Sequence, residues 1–282
     1  MEKTPDWLLL WRQVSEIHEK RFAKEQDASG NGDAWKDKAR SFHASVKKRW
    51  DREDSSRRFI LGQLKEHPGS TVLDIGAGTG AWTCLMAPHA RSVTALEPSP
   101  AMAAILKENL DEQRITNVEI VPGAWPDAEV ARHDFALCSH AMYSCPDFKG
   151  FVGRMGEVTA RMCILVLRAP LMKSVMAELS QAVRGHPHDS PNFHIAYNAL
   201  LQMDIFASVI MEDTGLWDRP WTNESIEEAS ADVKRKLGLP QRSEFDEYIR
   251  EVLEHRLSRE DGRYVWPCAV RSALVYWDVN AR

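Results

Sequence analysis

The sequence predicts an α/β fold whose core is a mostly parallel sheet with helices on both faces. Three observations lead to this prediction. Short and continuously apolar strands alternate with helices through the middle of the chain, which is typical of parallel strands buried on both sides. A glycine-rich loop joins the first of these strands, residues 71–75, to a helix at 80–87. The length of 282 residues is enough for one large core with insertions.

The elements follow one another in a regular order. Residues 1–66 carry apolar side chains at helical spacing and predict an N-terminal helical cap, with a turn at 27–33. Seven strands are predicted, at 71–75, 92–96, 118–121, 135–138, 163–167, 204–211 and 270–278, and later helices at 99–110, 147–158, 223–237 and 242–256. We expect residues 67–170 to form the core and 171–282 to complete the sheet. Within that last part, two long insertions, 171–203 and 212–268, are expected to form a lid over a substrate pocket.

The loop after the first strand predicts a nucleotide site. It reads Asp74-Ile75-Gly76-Ala77-Gly78-Thr79-Gly80, and such a loop at the start of a helix is where open α/β sheets bind nucleotides. The loop differs from the GxGxxG pattern of dinucleotide sites, and it lacks the Gly-Lys-Ser/Thr that ends a P-loop. A carboxylate at Asp74 would repel pyrophosphate but suits a cationic ammonium group. Glu97 ends the second strand 21 residues after Gly76, a position from which it can accept hydrogen bonds from ribose hydroxyls.

At these residues the chain resembles the class I S-adenosylmethionine-dependent methyltransferases. The segment VLDIGAGTG is similar to the first motif of that superfamily, and ALEPSPAMAAIL is similar to its second-strand motif with the ribose-binding acid. The resemblance covers residues 71–170 and implies a Rossmann-like, seven-stranded sheet whose last two strands pair at the edge. It also implies S-adenosyl-L-methionine as the cofactor and S-adenosyl-L-homocysteine as the product. An α/β domain with an incidental glycine turn is the alternative.

The resemblance implies a set of cofactor contacts. Asp74 would lie near the methionine end and Glu97 at the ribose, while the loop after the third strand would contact adenine. The predicted set is Asp74, Gly76, Ala77, Gly78, Gly80, Glu97, Pro98, Ser99, Gly123, Ala124, Trp125, Ser139, His140 and Trp35. Trp125 offers a flat face for the base, with a plain core tryptophan as the alternative. Trp35 would belong to a cap over the cofactor.

Two residues after the fourth strand are candidates for catalysis. His140 is the best general-base candidate because its ordinary pKa suits neutral pH, and a role in shaping the pocket is the alternative. Tyr143 is a second candidate of the same kind. The loop lacks the Asn/Asp-Pro-Pro-Tyr of amino-directed DNA methyltransferases, and the Pro267-Cys268 dipeptide lies far from it. The resemblance therefore points to a small-molecule or amino-group methyltransferase without a metal, close to the quinone- and biotin-biosynthesis branch.

Two further groups of residues have the chemistry of metal ligands. His186, His188 and His194 lie in a polar, Pro-rich segment, and we interpret them as lid or surface histidines. Cys138 and Cys145 flank His140, but Cys138 is expected to point into the sheet. We predict no metal site.

Composition limits the partners. The net charge is −5 and acids interrupt every basic spot, which disfavours a nucleic-acid substrate. The five cysteines are scattered through apolar segments, as in reduced intracellular proteins, and no secretory signal or membrane span is evident, so the cytoplasm is expected. The expected partner is a small-molecule acceptor, and the sequence leaves a homodimer open. A methyltransferase-like regulatory protein without turnover and a protein or RNA methyltransferase are the alternatives.

Overall fold

The computed structural model describes residues 5–28, 33–50, 53–212, 221–239, 241–268 and 270–280. Ten helices lie in these ranges: α1 (Trp7–Ala28), α2 (Ala39–Arg49), α3 (Ser55–Glu66), α4 (Ala81–Met86), α5 (Pro100–Glu112), α6 (Phe148–Glu157), α7 (Val175–Arg184), α8 (Phe193–Gln202), α9 (Ile226–Lys236) and α10 (Asp246–Arg256). The strands are β1 (Thr71–Ile75), β2 (Ser92–Glu97), β3 (Val118–Pro122), β4 (His133–Ser139), β5 (Thr159–Pro170), β6 (Ser208–Met211), β7 (Thr222–Asn223), β8 (Ser258–Glu260), β9 (Arg263–Val265) and β10 (Val270–Asp278).

Seven strands form one sheet, in the order β3-β2-β1-β4-β5-β10-β6. The pairs from β3 to β5 are parallel, and β10 runs antiparallel to both β5 and β6. The predicted seven-stranded, mostly parallel sheet is therefore confirmed, including the antiparallel pair at its edge. The edge strand β6 is shorter than predicted because residues 204 and 205 close α8 instead. Asp204 has a left-handed backbone (φ 58°), and the Ile205 amide donates to the Leu200 carbonyl.

Helices cover both faces of the sheet, as predicted. On one face, α1, α6 and α8 bury Trp11, Phe151, Met155, Ile195 and Leu200 against Leu73, Ile75, Cys138, Leu165 and Leu167. On the other face, α3 and α4 bury Ile60, Leu64 and Met86 against Val72, Phe135, Leu137, Ile164 and Val166. Adjacent residues of each strand thus pack into the cores on opposite faces of the sheet. Because both faces are buried, the strands are continuously apolar.

Three helices of the predicted insertions form a small layer of their own, whereas α8, in the first insertion, packs on the main sheet. Helices α7, α9 and α10 share an apolar cluster that includes Leu179, Val233 and Leu253. Strands β7, β9 and β8 add a three-stranded sheet that the sequence analysis missed, because strands of two or three residues leave no periodic signal. Helix α9 begins later than predicted, at Ile226, because the Ser225 hydroxyl accepts from the Glu228 amide and caps it.

The N-terminal region contains α1, α2 and α3. Helix α1 continues to Ala28 and takes up the first two residues of the predicted turn, whereas residues 29–32 of that turn lie outside the described residues. Among the helices that the structure describes, none combines the length and the apolar character needed to cross a membrane.

Candidate active site

The glycine-rich loop leaves β1 and turns sharply into α4. Gly76, Gly78 and Gly80 all have left-handed backbones, with φ of 71°, 59° and 86°. A Cβ added at Gly76 would collide with Ala141, and one at Gly80 would collide with Leu106. At Gly78, by contrast, no atom of the described residues other than its chain neighbours lies within 4 Å of the Cβ position. Gly76 and Gly80 are therefore needed for internal packing, whereas Gly78 leaves a face on which a ligand can lie.

Glu97, at the end of β2, is fixed beside this open face. The backbone N–H of Gly78 donates to its Oε2 at 2.7 Å, and the N–H of Ser99 donates to Oε1 at 2.9 Å. Burial raises the pKa of the Glu97 carboxyl, and the two N–H donors oppose this shift. Each carboxylate oxygen can accept more than one hydrogen bond, so Glu97 retains capacity for two hydroxyl groups. This is the chemistry that a ribose requires.

Asp74 lies behind the loop, on the face of β1 that packs against α4. It is 1% exposed and accepts a hydrogen bond of 2.6 Å from the Thr83 hydroxyl. Burial raises the pKa of the Asp74 carboxyl to about 7; the Thr83 bond lowers it, and the nearby charge of Glu97 raises it further. Its predicted place near a methionine group remains a prediction.

The buried Asp74 carboxyl predicts a dependence of stability on pH. Its pKa in the folded chain is above the ordinary 3.8, so the folded chain holds the proton more tightly than the unfolded chain. The free energy of unfolding should therefore fall as pH rises from about 4 to about 7. In urea unfolding at several pH values, Asp74→Asn should remove a part of that fall on the order of a few kcal/mol, since one pKa unit is about 1.4 kcal/mol. Asp111→Asn, exposed on α5, is the control and should keep the fall of the unmodified chain.

The N-terminal cap is anchored at the start of α5 by Asp33. Its carboxylate accepts hydrogen bonds from the Ser99 hydroxyl at 2.9 Å, the Ala101 amide at 3.1 Å and the Trp35 amide at 2.9 Å. Asp33 was not predicted as a site residue, because an acid in a turn-rich segment carries no signal of a partner 66 residues away. This contact brings the cap to Ser99, next to Glu97.

Helix α2 extends the cap over the glycine loop. Arg40 forms two hydrogen bonds with Glu108 of α5, at 2.5 and 2.7 Å, and His43 Nδ1 lies 3.2 Å from the Thr79 hydroxyl in the loop. Trp35 packs on Phe42 with ring centroids 5.0 Å apart, in a cluster with α5. Trp35 therefore belongs to the seam between the cap and α5, and its contact with a cofactor stays a prediction.

Trp125 is half-buried in the loop after β3. Its indole N–H donates to the Phe151 carbonyl of α6 at 3.2 Å, and its ring meets the Phe151 ring edge-on at 6.2 Å. Gly123, two residues earlier, packs near Ala128 and Leu96. The indole contacts are those of a tryptophan that joins a loop to the core. Adenine contact by Gly123, Ala124 and Trp125 stays a prediction.

The two catalytic candidates lie in one hydrogen-bond network after β4. His140 has a left-handed backbone (φ 57°), and its Nδ1 is 2.8 Å from the Tyr143 hydroxyl. That hydroxyl accepts from the Arg168 amide at 2.7 Å, and burial raises the Tyr143 pKa far above neutral pH. Tyr143 thus keeps its proton, and its hydroxyl can donate to Nδ1 of the His140 tautomer that is protonated at Nε2. His140 Nε2 lies 3.4 Å from the Ser272 hydroxyl.

A cleft of about 80 Å³ lies beside this network, between α1 and the C-terminal insertions. It is lined by Val14, Ile17, His18, Arg168, Asp189, Ser190, Arg235 and Lys236. Helix α1 is tied to the loop after β4, because the Trp11 indole donates to the Cys145 carbonyl at 2.8 Å and His18 Nδ1 lies 2.9 Å from the Ser144 hydroxyl. His18 and Tyr143 are 6.3 Å apart between ring centroids.

The three histidines of the first insertion pack against one another. His186 stacks on His188 at 6.0 Å, and His188 lies 6.3 Å from His194, whose Nε2 is 2.9 Å from the Pro170 carbonyl. Burial, and then the neighbouring His186, lower the pKa of His188 to about 4. Within the described ranges, no group of three or more His, Cys, Asp or Glu side chains is placed to hold a metal ion.

Comparison with known proteins agrees with the geometry of the loop. A family model described as a methyltransferase domain matches residues 72–161. A probable ribosomal RNA small subunit methyltransferase A from Methanosphaera stadtmanae is 25% identical over 206 residues, which are 72% of this chain and 70% of that protein. The malonyl-[acyl-carrier protein] O-methyltransferase of Serratia marcescens is 28% identical over 134 residues, 46% of this chain and 50% of that enzyme.

The fold is shared with solved structures. A Bacillus halodurans protein described as a candidate methyltransferase superposes with a TM-score of 0.53 at 16% identity, over 78% of this chain and 99% of the other. At this identity the likeness shows the fold alone. The methyltransferase family whose model matches residues 72–161 uses S-adenosylmethionine as its cofactor. Residues 72–161, which carry the acid-preceded glycine loop and the β2 acid, match the family of methyltransferase domains.

Proposed function

We propose that the chain transfers a methyl group from S-adenosylmethionine to an oxygen, nitrogen or carbon atom of a small molecule. The observation that carries the proposal is the open face of Gly78 next to the buried carboxylate of Glu97. The cleft between α1 and the C-terminal insertions is the candidate acceptor site. The cleft holds a ligand of a few atoms or the end of a longer one. It adjoins Tyr143, in the loop that packs on Gly76 through Ala141.

The chain's own residues would act mainly by positioning. When bound, S-adenosylmethionine supplies a methyl group that its positive sulfonium already activates. Glu97 would hold the ribose hydroxyls, Gly78 would let the ligand lie on the loop, and α1 would keep water from the acceptor. A reaction of this kind gains most from aligning the two reactants and from excluding water.

We propose His140 and Tyr143 as positioning residues of this site. Tyr143 occupies Nδ1 of His140, and Ser272 faces Nε2. In the tautomer protonated at Nε2, the basic nitrogen is Nδ1, so an acceptor in need of a base would have to displace Tyr143. The pH profile of kcat distinguishes the roles. If His140 orients the loop, His140→Gln lowers kcat without removing a limb of the profile. Loss of a limb near the ordinary histidine pKa would make it the general base.

A second candidate function is methylation of RNA. The relative aligned over 206 residues is a probable ribosomal RNA methyltransferase, which favours it. The net charge of −5 favours a small molecule instead, because nucleic-acid binding relies on basic surface. Small-subunit ribosomal RNA therefore belongs in any acceptor panel as a competing substrate.

Calorimetric titration of the purified chain tests the proposal. We expect micromolar binding of S-adenosylmethionine and S-adenosylhomocysteine and none of NAD. Release of S-adenosylhomocysteine with small-molecule acceptors, and none with ribosomal RNA, would support the substrate class. Binding without release across the panel would support the regulatory alternative. Absence of binding to either ligand would contradict the cofactor assignment.

A further inference from the structure

The cleft beside Tyr143 has a strong bias toward positive charge. Of its eight lining residues, Arg168, Arg235 and Lys236 are cations and Asp189 is an acid. Val14 and Ile17 of α1 add apolar side chains to the lining. A cleft with this combination suits a small ligand that has one anionic group and an apolar part.

Most of these charges already have partners. Arg235 pairs with Asp232, and the Lys236 ammonium lies 3.3 Å above the centroid of the Trp221 ring. Asp189 accepts from the Ser190 hydroxyl at 3.3 Å, and its charge acts on Arg184. Asp189, the acid of the cleft, therefore interacts with its neighbours Ser190 and Arg184.

Arg168 is different. Its backbone N–H is bonded to Tyr143, but no carboxylate in the described part of the chain pairs with its guanidinium. It is partly buried near the C-terminal end of β5, opposite Ser272 of β10. Tyr143, which bonds to the Arg168 backbone, and Ser272, its register partner on β10, both lie within hydrogen-bond distance of the His140 ring. A guanidinium without a carboxylate partner, in a cleft wall, is a ready site for a carboxylate or a phosphate.

We propose that the methyl acceptor is a small organic acid whose anionic group binds Arg168. This inference rests on the proposed function and names its substrate class. The anion would form paired hydrogen bonds with the guanidinium, and the rest of the acceptor would extend between α1 and the loop after β4. The accepting atom would then face the glycine loop while Arg168 holds the far end of the molecule.

Binding of matched probes tests this proposal. The probes are phenylacetate, phenyl phosphate and the neutral 2-phenylethanol, titrated by calorimetry into the chain saturated with S-adenosylhomocysteine. We expect one of the two anions to bind at least tenfold more tightly than the alcohol, and the stronger of the two identifies carboxylate or phosphate. Arg168→Met should abolish this preference, and Arg168→Lys should restore part of it. Arg154→Met is the matched control and should keep the preference, because Arg154 is a partly exposed arginine that pairs with Glu157 on α6, outside the cleft lining.

Two outcomes would overturn the proposal: equal binding of the alcohol and both anions, or an anion preference that survives Arg168→Met. S-adenosylhomocysteine affinity is measured on every variant. Since the Tyr143 bond uses the Arg168 backbone, Arg168→Met should leave that affinity and the melting temperature unchanged. Failure of the cofactor assignment would appear as lost S-adenosylhomocysteine binding in the unmodified chain, and it is thereby separated from failure of the anion site.

Discussion

Replacing Glu97 by alanine should weaken the binding of S-adenosylhomocysteine by about 1–3 kcal/mol, the usual cost of leaving buried hydrogen-bonding groups without partners. The carboxylate accepts from the amides of Gly78 and Ser99, and we expect it to accept from the ribose as well. Its loss leaves the two amides without an acceptor and removes the ribose contact. Calorimetric titration of the variant and of the unmodified chain gives the difference directly.

The matched control for this variant is Glu119→Ala. Glu119 lies on the neighbouring strand β3 with its side chain exposed, so its removal changes the net charge equally and touches no part of the loop. We expect unchanged affinity there. Equal affinity of Glu97→Ala and the unmodified chain would mean that the ribose is held elsewhere.

Substituting alanine for Gly78 should lower S-adenosylhomocysteine affinity at least tenfold, or about 1.4 kcal/mol. Apart from the two chain neighbours, no atom of the described residues lies within 4 Å of the new methyl group, so no clash with a packed side chain is expected. The methyl group would instead occupy the face on which we place the ligand. The measurement is again a titration, combined with thermal unfolding to follow stability.

Gly69→Ala separates ligand contact from backbone strain. Gly69 lies in the turn before β1 with φ of 79°, and its Cβ position is also open. An alanine in a left-handed conformation costs about 1–2 kcal/mol, so both variants should show a similar decrease in the free energy of unfolding. Only Gly78→Ala should lose affinity. If the two variants bind S-adenosylhomocysteine equally well, the open face of Gly78 is not the ligand site.

The sequence by itself determined the sheet and the glycine loop. These features follow from local patterns. Strands alternate with helices, Gly76, Gly78 and Gly80 are spaced as a tight turn requires, and Glu97 stands at a strand end. The pairing of β6 with β10 followed from the resemblance. The seven strands were predicted within four residues at each end. The start of β6 was placed four residues too early because a helix cap uses residues 204 and 205, and β5 extends beyond its predicted bounds at both ends.

Only the tertiary structure decided which side chains meet. Asp33 contacts Ser99 across 66 positions, and Arg168 joins Tyr143 across 25. These contacts depend on how separate elements pack, and no short pattern encodes that. The same holds for Asp74, whose position in the motif suggests a ligand contact. In the structure its side chain lies against α4, where it accepts a hydrogen bond from the Thr83 hydroxyl. Spacing along the chain fixes where a strand ends, but partners, burial and charge balance emerge only when the elements are assembled.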